Sequence, residues 1–109
     1  MTSPPDPVSV VLTTIAAQVD AAAMARTLVE ERLAACVNIL PVMTSIYRWQ
    51  GRIEQEPEQQ LLIKTASDRV PALEQRLREL HPYEVPEFLV LEAGDFGTAY
   101  SSWVRESVD

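Results

Sequence analysis

The sequence predicts an α+β domain of the ferredoxin-like kind: a βαββαβ sandwich with an added C-terminal helix and a long central β-hairpin. Three observations lead there. Aliphatic and β-branched runs alternate with two segments of helical apolar spacing, in the order strand, helix, strand, strand, helix, strand. A turn dipeptide, Gln50-Gly51, divides the two central strands, because glycine accepts φ > 0. The length of 109 residues and a hydrophobic content of 47% suit one domain with one real core.

The elements follow in order. Residues 1–7 read as a disordered tail and residues 8–109 as the single domain. Met1-Thr2-Ser3-Pro4-Pro5-Asp6-Pro7 lacks the basic start and apolar stretch of a signal peptide. Val8 to Thr14 is β-branched and bounded by Pro7, which predicts a strand. Asp20 can cap a helix from about Ala21 to Leu33, with Ala21, Met24, Ala25 and Leu28 as its apolar stripe. A strand begins at Cys36-Val37-Asn38-Ile39-Leu40. Pro41 interrupts it, implying a bulge or an edge position, and Val42 to Trp49 continues it. The chain returns through Ile53 to Leu61-Leu62-Ile63-Lys64-Thr65, and the stretch Glu54 to Gln60 between them is too polar for a core. Ser67 or Asp68 caps the second helix, Pro71 lies in its first turn, and Val70, Leu73, Leu77 and Leu80 repeat at helical spacing. His81-Pro82 stops it. Phe88 to Leu91 is a short apolar strand. After Gly97 a last helix presents Tyr100, Trp103 and Val104 on one face. Two helical crossovers place the helices on one face of a four-stranded antiparallel sheet.

The central pair is long for such a fold. The twelve residues from Cys36 to Tyr47 extend about 40 Å at strand rise. A hairpin projecting that far leaves Val42, Met43, Ile46, Tyr47, Trp49 and Ile53 uncovered, and such a hairpin is marginal alone. A neighbouring copy of the chain is the physical remedy.

Composition excludes several classes. The net charge of −7 repels phosphate backbones and anionic membranes, so nucleic-acid and membrane partners are not expected. No apolar run is long enough to span a bilayer. One cysteine allows no internal disulfide, which fits a reducing, cytoplasmic setting. An RNA-recognition module needs strand aromatics and a basic face. A soft-metal chaperone needs a CxxC pair. Neither pattern is present, and there is no glycine-rich phosphate loop or nucleophile elbow, so the chain does not read as an enzyme.

Candidate site residues are few. His81-Pro82-Tyr83-Glu84-Val85-Pro86-Glu87 holds the only histidine between two prolines that stiffen its backbone. His81 is either a helix C-cap or a binding group. Cys36 reads as a small buried hydrophobe. Lys64 ends an apolar run, and either snorkels to solvent, pairs with a carboxylate or meets a ligand phosphate. Glu54, Glu56 and Glu58 alternate and can gather a hard cation, although the simplest reading of that run is a solvated edge. Trp49 and Trp103 read as packing residues at an interface. One subunit cannot close a soft-metal site from one Cys, one His and two thioethers, whereas a symmetric oligomer repeats each ligand around its axis.

Four blocks then add up. Glu31-Arg32-Leu33-Ala34-Ala35-Cys36-Val37-Asn38, Ser45 to Glu54, Leu62-Ile63-Lys64-Thr65 and His81 to Glu87 closely resemble the CutA divalent-cation-tolerance family, across about Val8 to Val108. The resemblance implies a ferredoxin-like homotrimer whose long hairpins join intersubunit sheets. It also implies a role in tolerance to divalent metals, copper especially, and an architectural kinship with trimeric PII signalling proteins that bind small ligands between subunits. Family members proposed to bind copper carry a cysteine where this chain has Thr13 and paired histidines where it has Leu80 and His81, so His81 alone carries the metal site over. The family's polar cluster near the interface maps onto Trp49, Glu54, Lys64, His81, Tyr83, Glu87 and Trp103. The expected function is divalent-cation homeostasis, through a metal ion or a small anionic ligand held at intersubunit clefts. The alternative is a non-catalytic, PII-like signalling or protein-association scaffold.

Overall fold

β4, Arg52–Ala66, is the strand on which the others are assembled. In this computed structural model, which describes residues 6–109, β4 is flanked by β1 (Val8–Ala16) on one side and by β2 (Cys36–Ile39) and β3 (Met43–Trp49) on the other. β5 (Leu89–Glu92) adds to the far side of β1, and all pairings are antiparallel. The order β2-β4-β1-β5, with β3 continuing the line of β2, is the expected ferredoxin-like sheet. The polar stretch from Glu54 to Gln60 is therefore strand throughout. β1 runs out at Ala16 opposite Glu58, and from there outward only β3 accompanies β4.

Strand alternation assigns the faces. Val11 and Ile15 of β1 and Leu61 and Ile63 of β4 pack against Met24 and Leu28 of α1 (Ala21–Glu30) and Leu73 and Leu77 of α2 (Val70–Leu80). Each large side chain removed from water in this cluster contributes about 1.5–3 kcal/mol. The other face holds Lys64, Cys36 and Val10 in one row of the ladder. At one end of the sheet, α3 (Thr98–Val108) packs Val104 and Val108 on Val8, Ala35 and Ala66. Its buried stripe is Ser101, Val104 and Val108, so the expected face of Tyr100, Trp103 and Val104 is divided. Tyr100 and Trp103 point outward and lie against each other at 5.5 Å, because the small Ser101 lets the backbone approach and its Oγ donates to the Asp6 carbonyl.

Both helix starts follow from local chemistry. Asp20 Oδ1 accepts from the Ala23 amide and caps α1. Ser67–Arg69 forms a 3-10 turn ahead of α2, and neither Ser67 nor Asp68 caps the helix; Pro71 instead sits in its first turn. α1 ends at Glu30 rather than Leu33. Arg32 adopts φ of 60°, its amide donates to the Val29 carbonyl, and the Leu33 amide reaches back to Leu28. That pair of bonds is a Schellman stop, made here without glycine. The tail expected over residues 1–7 lies outside the described residues as far as residue 5. Asp6 and Pro7 are tied in, the latter by its carbonyl accepting from the Ser67 amide.

The arm is as long as the sequence requires. The longest dimension is 56 Å and the radius of gyration 15.1 Å, against about 13 Å for a compact domain of this size. Gln50 and Gly51 both have positive φ, 50° and 78°, which matches the turn to the twist of the two strands. Pro41 marks a bulge. Ile39 lies opposite Leu61 and Met43 opposite Glu58, so three residues on one side face two on the other.

Thr13 is fully buried and its hydroxyl has no hydrogen-bond partner among the described residues. Thr13→Val is expected to raise stability by about 1 kcal/mol, read as an upward shift of the denaturant midpoint at unchanged slope.

Candidate functional site

A groove of about 710 Å³ opens where the arm leaves the body of the sheet. Its floor is the face of β4 that carries Glu58 and Gln60, with Thr14 of β1 beside them. One wall is β3, contributing Met43, Ser45, Tyr47 and Trp49. The other wall is the loop from Tyr83 to Glu87.

The Pro41 bulge decides which side chains of β3 line this wall. Without the extra residue, β3 would shift by one position against β4. Thr44, Ile46 and Arg48 would then share the face of Glu58. With it, the register Met43↔Glu58, Ser45↔Glu56 and Tyr47↔Glu54 turns the two aromatics, Tyr47 and Trp49, to the groove side.

His81 holds the loop. It ends α2 through its amide, which donates to the Leu77 carbonyl at 2.8 Å. Its ring Nδ1 accepts from the Tyr83 amide at 3.1 Å, so the proton lies on Nε2, which donates to the Thr14 carbonyl at 2.7 Å. His81 is 6% exposed, and its ring stands 4.7 Å from the Tyr83 ring. Both nitrogens are thus engaged in fastening the loop to β1, and His81 can ligate a metal only by giving up one of these bonds.

Beyond that anchor, the Tyr83 hydroxyl donates to Glu58 Oε2 at 2.5 Å. Removal from water and the adjacent carboxylate, with Tyr47 and Glu56 nearby, push the Tyr83 phenol well above its ordinary value. Tyr47 is pushed up as well, by burial and by Glu56, Glu58 and Glu54. Gln60 spends both amide hydrogens on the Thr13 carbonyl and on Glu87 Oε2, each at 2.8 Å, which fixes the far end of the loop.

Charge in the groove is of one sign. Glu58, Glu84 and Glu87 line it, and no lysine, arginine or histidine does. Glu58 is 5% exposed. Its Oε1 has no hydrogen-bond partner among the described residues, whose ion pairs all run through Arg69, Arg76, Arg78 or Arg105.

Of the residues singled out in the sequence, Trp49, Tyr83 and Glu87 meet at the groove and His81 supports it. Glu54 shares its face but stands farther out on the arm, opposite Tyr47. Lys64 is six residues beyond Glu58 along β4, about 20 Å at strand rise, opposite Cys36 and Val10. Trp103 is on α3. These three do not reach the groove within one chain. Glu58, Tyr47, Gln60, Met43 and Glu84 were not singled out as groove residues. For Glu58 the reading as a solvated edge is corrected: it sits where β1, β3 and β4 meet, under Tyr83. The period-two run Glu58, Gln60, Leu62, Lys64 was the available signal, since it continues the face of the body into the arm.

A ferredoxin-like body, a protruding hairpin and a proline-stiffened loop closing a groove at the hairpin's root define a class of small α+β proteins with an arm extending from the sheet. The chain belongs to the CutA1 divalent ion tolerance family, whose pattern it matches over residues 9–107. It is 48% identical over 98 residues to the divalent-cation tolerance protein CutA of Thermus thermophilus, covering 90% of this chain and 95% of that one. It is 49% identical over 83 residues to human protein CutA, covering 76% of this chain and 46% of the human protein, about half its length. Among solved structures, the Thermus thermophilus protein superposes with a TM-score of 0.88 at 46% identity, covering 94% of this chain and 99% of that one. CutA1 from Oryza sativa gives 0.91 at 32% identity and covers 96% of each chain.

The raised Tyr83 phenol has a definite sign in pH. Its neutral form is favoured in the folded state, so that contribution is complete below the unfolded value of about 10. It is lost as pH rises from there toward the higher folded value. Tyr83→Phe is expected to cost about 1–3 kcal/mol at neutral pH, by leaving a buried carboxylate without its donor, and to flatten the loss of stability above about pH 10. Denaturant melts of both proteins across that range check it, and an unchanged alkaline slope contradicts it.

Proposed function

We propose that this chain acts in divalent-cation tolerance and homeostasis as a cytoplasmic, non-catalytic homotrimer that holds a cation or small ligand at clefts between subunits. One observation carries the reading: the acidic groove lies at the root of an arm whose apolar side chains nothing among the described residues covers. Val42, Ile46 and Ile53 are 60%, 67% and 62% exposed. Side chains of that kind on a two-stranded ribbon drive self-association, and a symmetric neighbour covering them borders the groove as well. Glu54, Lys64 and Trp103 then enter a cleft from the adjoining copy, facing Trp49, Tyr83 and Glu87. In a version with an anionic ligand, Lys64, the only lysine, supplies the charge. The net charge of −7, the lone free cysteine and the absence of a membrane-crossing helix among the described residues are consistent with the cytoplasm.

Copper, which the resemblance implies, does not fit the residues of one chain. His81 has both nitrogens engaged, Thr13 and Leu80 offer no soft donor, and Cys36 lies opposite Lys64 with its thiol toward Asn38. Oxygen ligands suit a hard divalent ion, and the carboxylates of the groove supply some of them, with the remainder coming from a neighbour. The second reading, a PII-like signalling or association scaffold, is favoured by one fact: among the described residues no three His, Cys, Asp or Glu side chains gather closely enough to hold a metal ion.

Sedimentation velocity at micromolar concentration is expected to give a trimer, and a monomer overturns the assembly. Ile46→Glu with Ile53→Glu is expected to dissociate it while far-ultraviolet dichroism retains the body of the fold. Calorimetry is expected to show uptake of manganese or calcium by the trimer, tighter than that of copper, that falls at least tenfold in Glu87→Gln. His81→Ala is expected to lower the melting temperature and leave metal affinity within twofold, whereas a tenfold loss of copper affinity in a folded His81→Ala protein makes His81 a ligand.

A further inference from the structure

α3 has a small core of its own. Val104 and Val108 pack on Val8, Ala35 and Ala66, whereas the main cluster under α1 and α2 contains no residue of α3. This seam of valines and alanines removes less apolar surface from water than the leucines and isoleucines of the main cluster. The other fastenings of the helix are polar, and most of them run through one residue. The Arg105 guanidinium meets Asp68 with two prongs, Nη1 and Nη2 each 2.9 Å from a carboxylate oxygen. Its Nε lies 3.1 Å from Asp109 and 3.8 Å from Asp6. Aspartates from ahead of β1, from the turn before α2 and from the C-cap of α3 thus meet on one cation. Arg69 approaches Asp109 at 3.6 Å and donates to the Val108 carbonyl, Arg32 donates to the Ser107 carbonyl at 3.4 Å, and Ser101 donates to the Asp6 carbonyl.

We propose that α3 opens as a unit separate from the sheet, with Arg105 as its clasp: acid or concentrated salt releases the helix while β1 and β4 stay paired. Release carries Tyr100 and Trp103 away with the helix, which makes the clasp a control on that exposed aromatic surface. The hydrogen bonds from Arg105 hold the Asp68 carboxyl below its ordinary value; desolvation opposes them, and the charges of Arg105 and Arg69 add to them. That share of the fastening is complete above the unfolded value of about 4 and is lost as pH falls from there through the lower folded value. The side chains of Asp6, Asp68 and Asp109 are 48%, 65% and 59% exposed, so salt reaches the pairs and weakens them. The main cluster is apolar and responds to neither. The inference is independent of what the groove binds.

The test is amide hydrogen exchange of the assembled protein, followed over residues 98–108 and over β4 as protection relative to the intrinsic rate. At about pH 3, and separately in about 1 M sodium chloride at neutral pH, protection of α3 is expected to fall at least tenfold more than that of β4. Arg105→Met keeps the aliphatic stem but removes the shared cation, and is expected to lower α3 protection at least tenfold at neutral pH. It is also expected to invert the acid response, because protonation then relieves repulsion among Asp6, Asp68 and Asp109. Arg78→Met, which removes the exposed pair with Glu74 on α2, is expected to leave α3 unchanged. Equal loss of protection in α3 and β4 overturns the inference, and so does an α3 unmoved by both acid and salt. An Arg105→Met protein that keeps the wild-type acid response overturns Arg105 as the clasp.

Discussion

The structure depends on one strand that is longer than any of its partners. β4 runs fifteen residues from Arg52 to Ala66, whereas β1 accompanies it only from Ala66 to Glu58. Inside that span Leu61 and Ile63 are buried under α1 and α2, and beyond it only β3 remains alongside. A sheet that ends on one side but continues on the other must project a ribbon, and a ribbon has no second layer to cover it. The exposed Ile46 and Ile53 are a consequence of that geometry. The same continuity carries one face of the body, with Lys64 and Gln60, directly into the arm at Glu58, Glu56 and Glu54.

Two small irregularities turn this ribbon into a groove. The extra residue at Pro41 shifts β3 by one position and sends Tyr47 and Trp49, rather than Ile46 and Arg48, to the side of Glu58. His81 then fastens the proline-bounded loop across the gap, using its amide to end α2 and both ring nitrogens to join Tyr83 and Thr14. The phenol of Tyr83 is delivered onto a carboxylate as a result. A histidine employed this way is a fastening for the wall of the groove.

Taken as a single chain, the protein holds one kind of surface at odds with water. Val42, Ile46 and Ile53 on the arm are exposed, whereas Glu58 at its root is enclosed and accepts a hydrogen bond from the Tyr83 hydroxyl. Exposed apolar side chains are unfavourable alone and are relieved by apolar surface arriving from outside the chain. The exposed apolar arm and the groove lie within the same few residues of β3 and β4, in a chain of the CutA1 divalent ion tolerance family.

Local chemistry was enough for the order of elements, the Asp20 cap, the Gln50-Gly51 turn, the Pro41 bulge and the length of the arm, because each depends on backbone preferences and on periodicity within a few residues. The blocks around Cys36, Trp49, Lys64 and His81 were likewise legible as a family pattern. The burial of Glu58 was not, since an acidic residue in a polar run becomes interior only when β1, β3 and the Tyr83 loop converge on it from positions distant in sequence. Nor was the division of the named residues, with Trp49, Tyr83 and Glu87 in the groove and Lys64 and Trp103 away from it. Periodicity assigns a side chain to a face, but its distance from another side chain is decided by where two strands stop pairing.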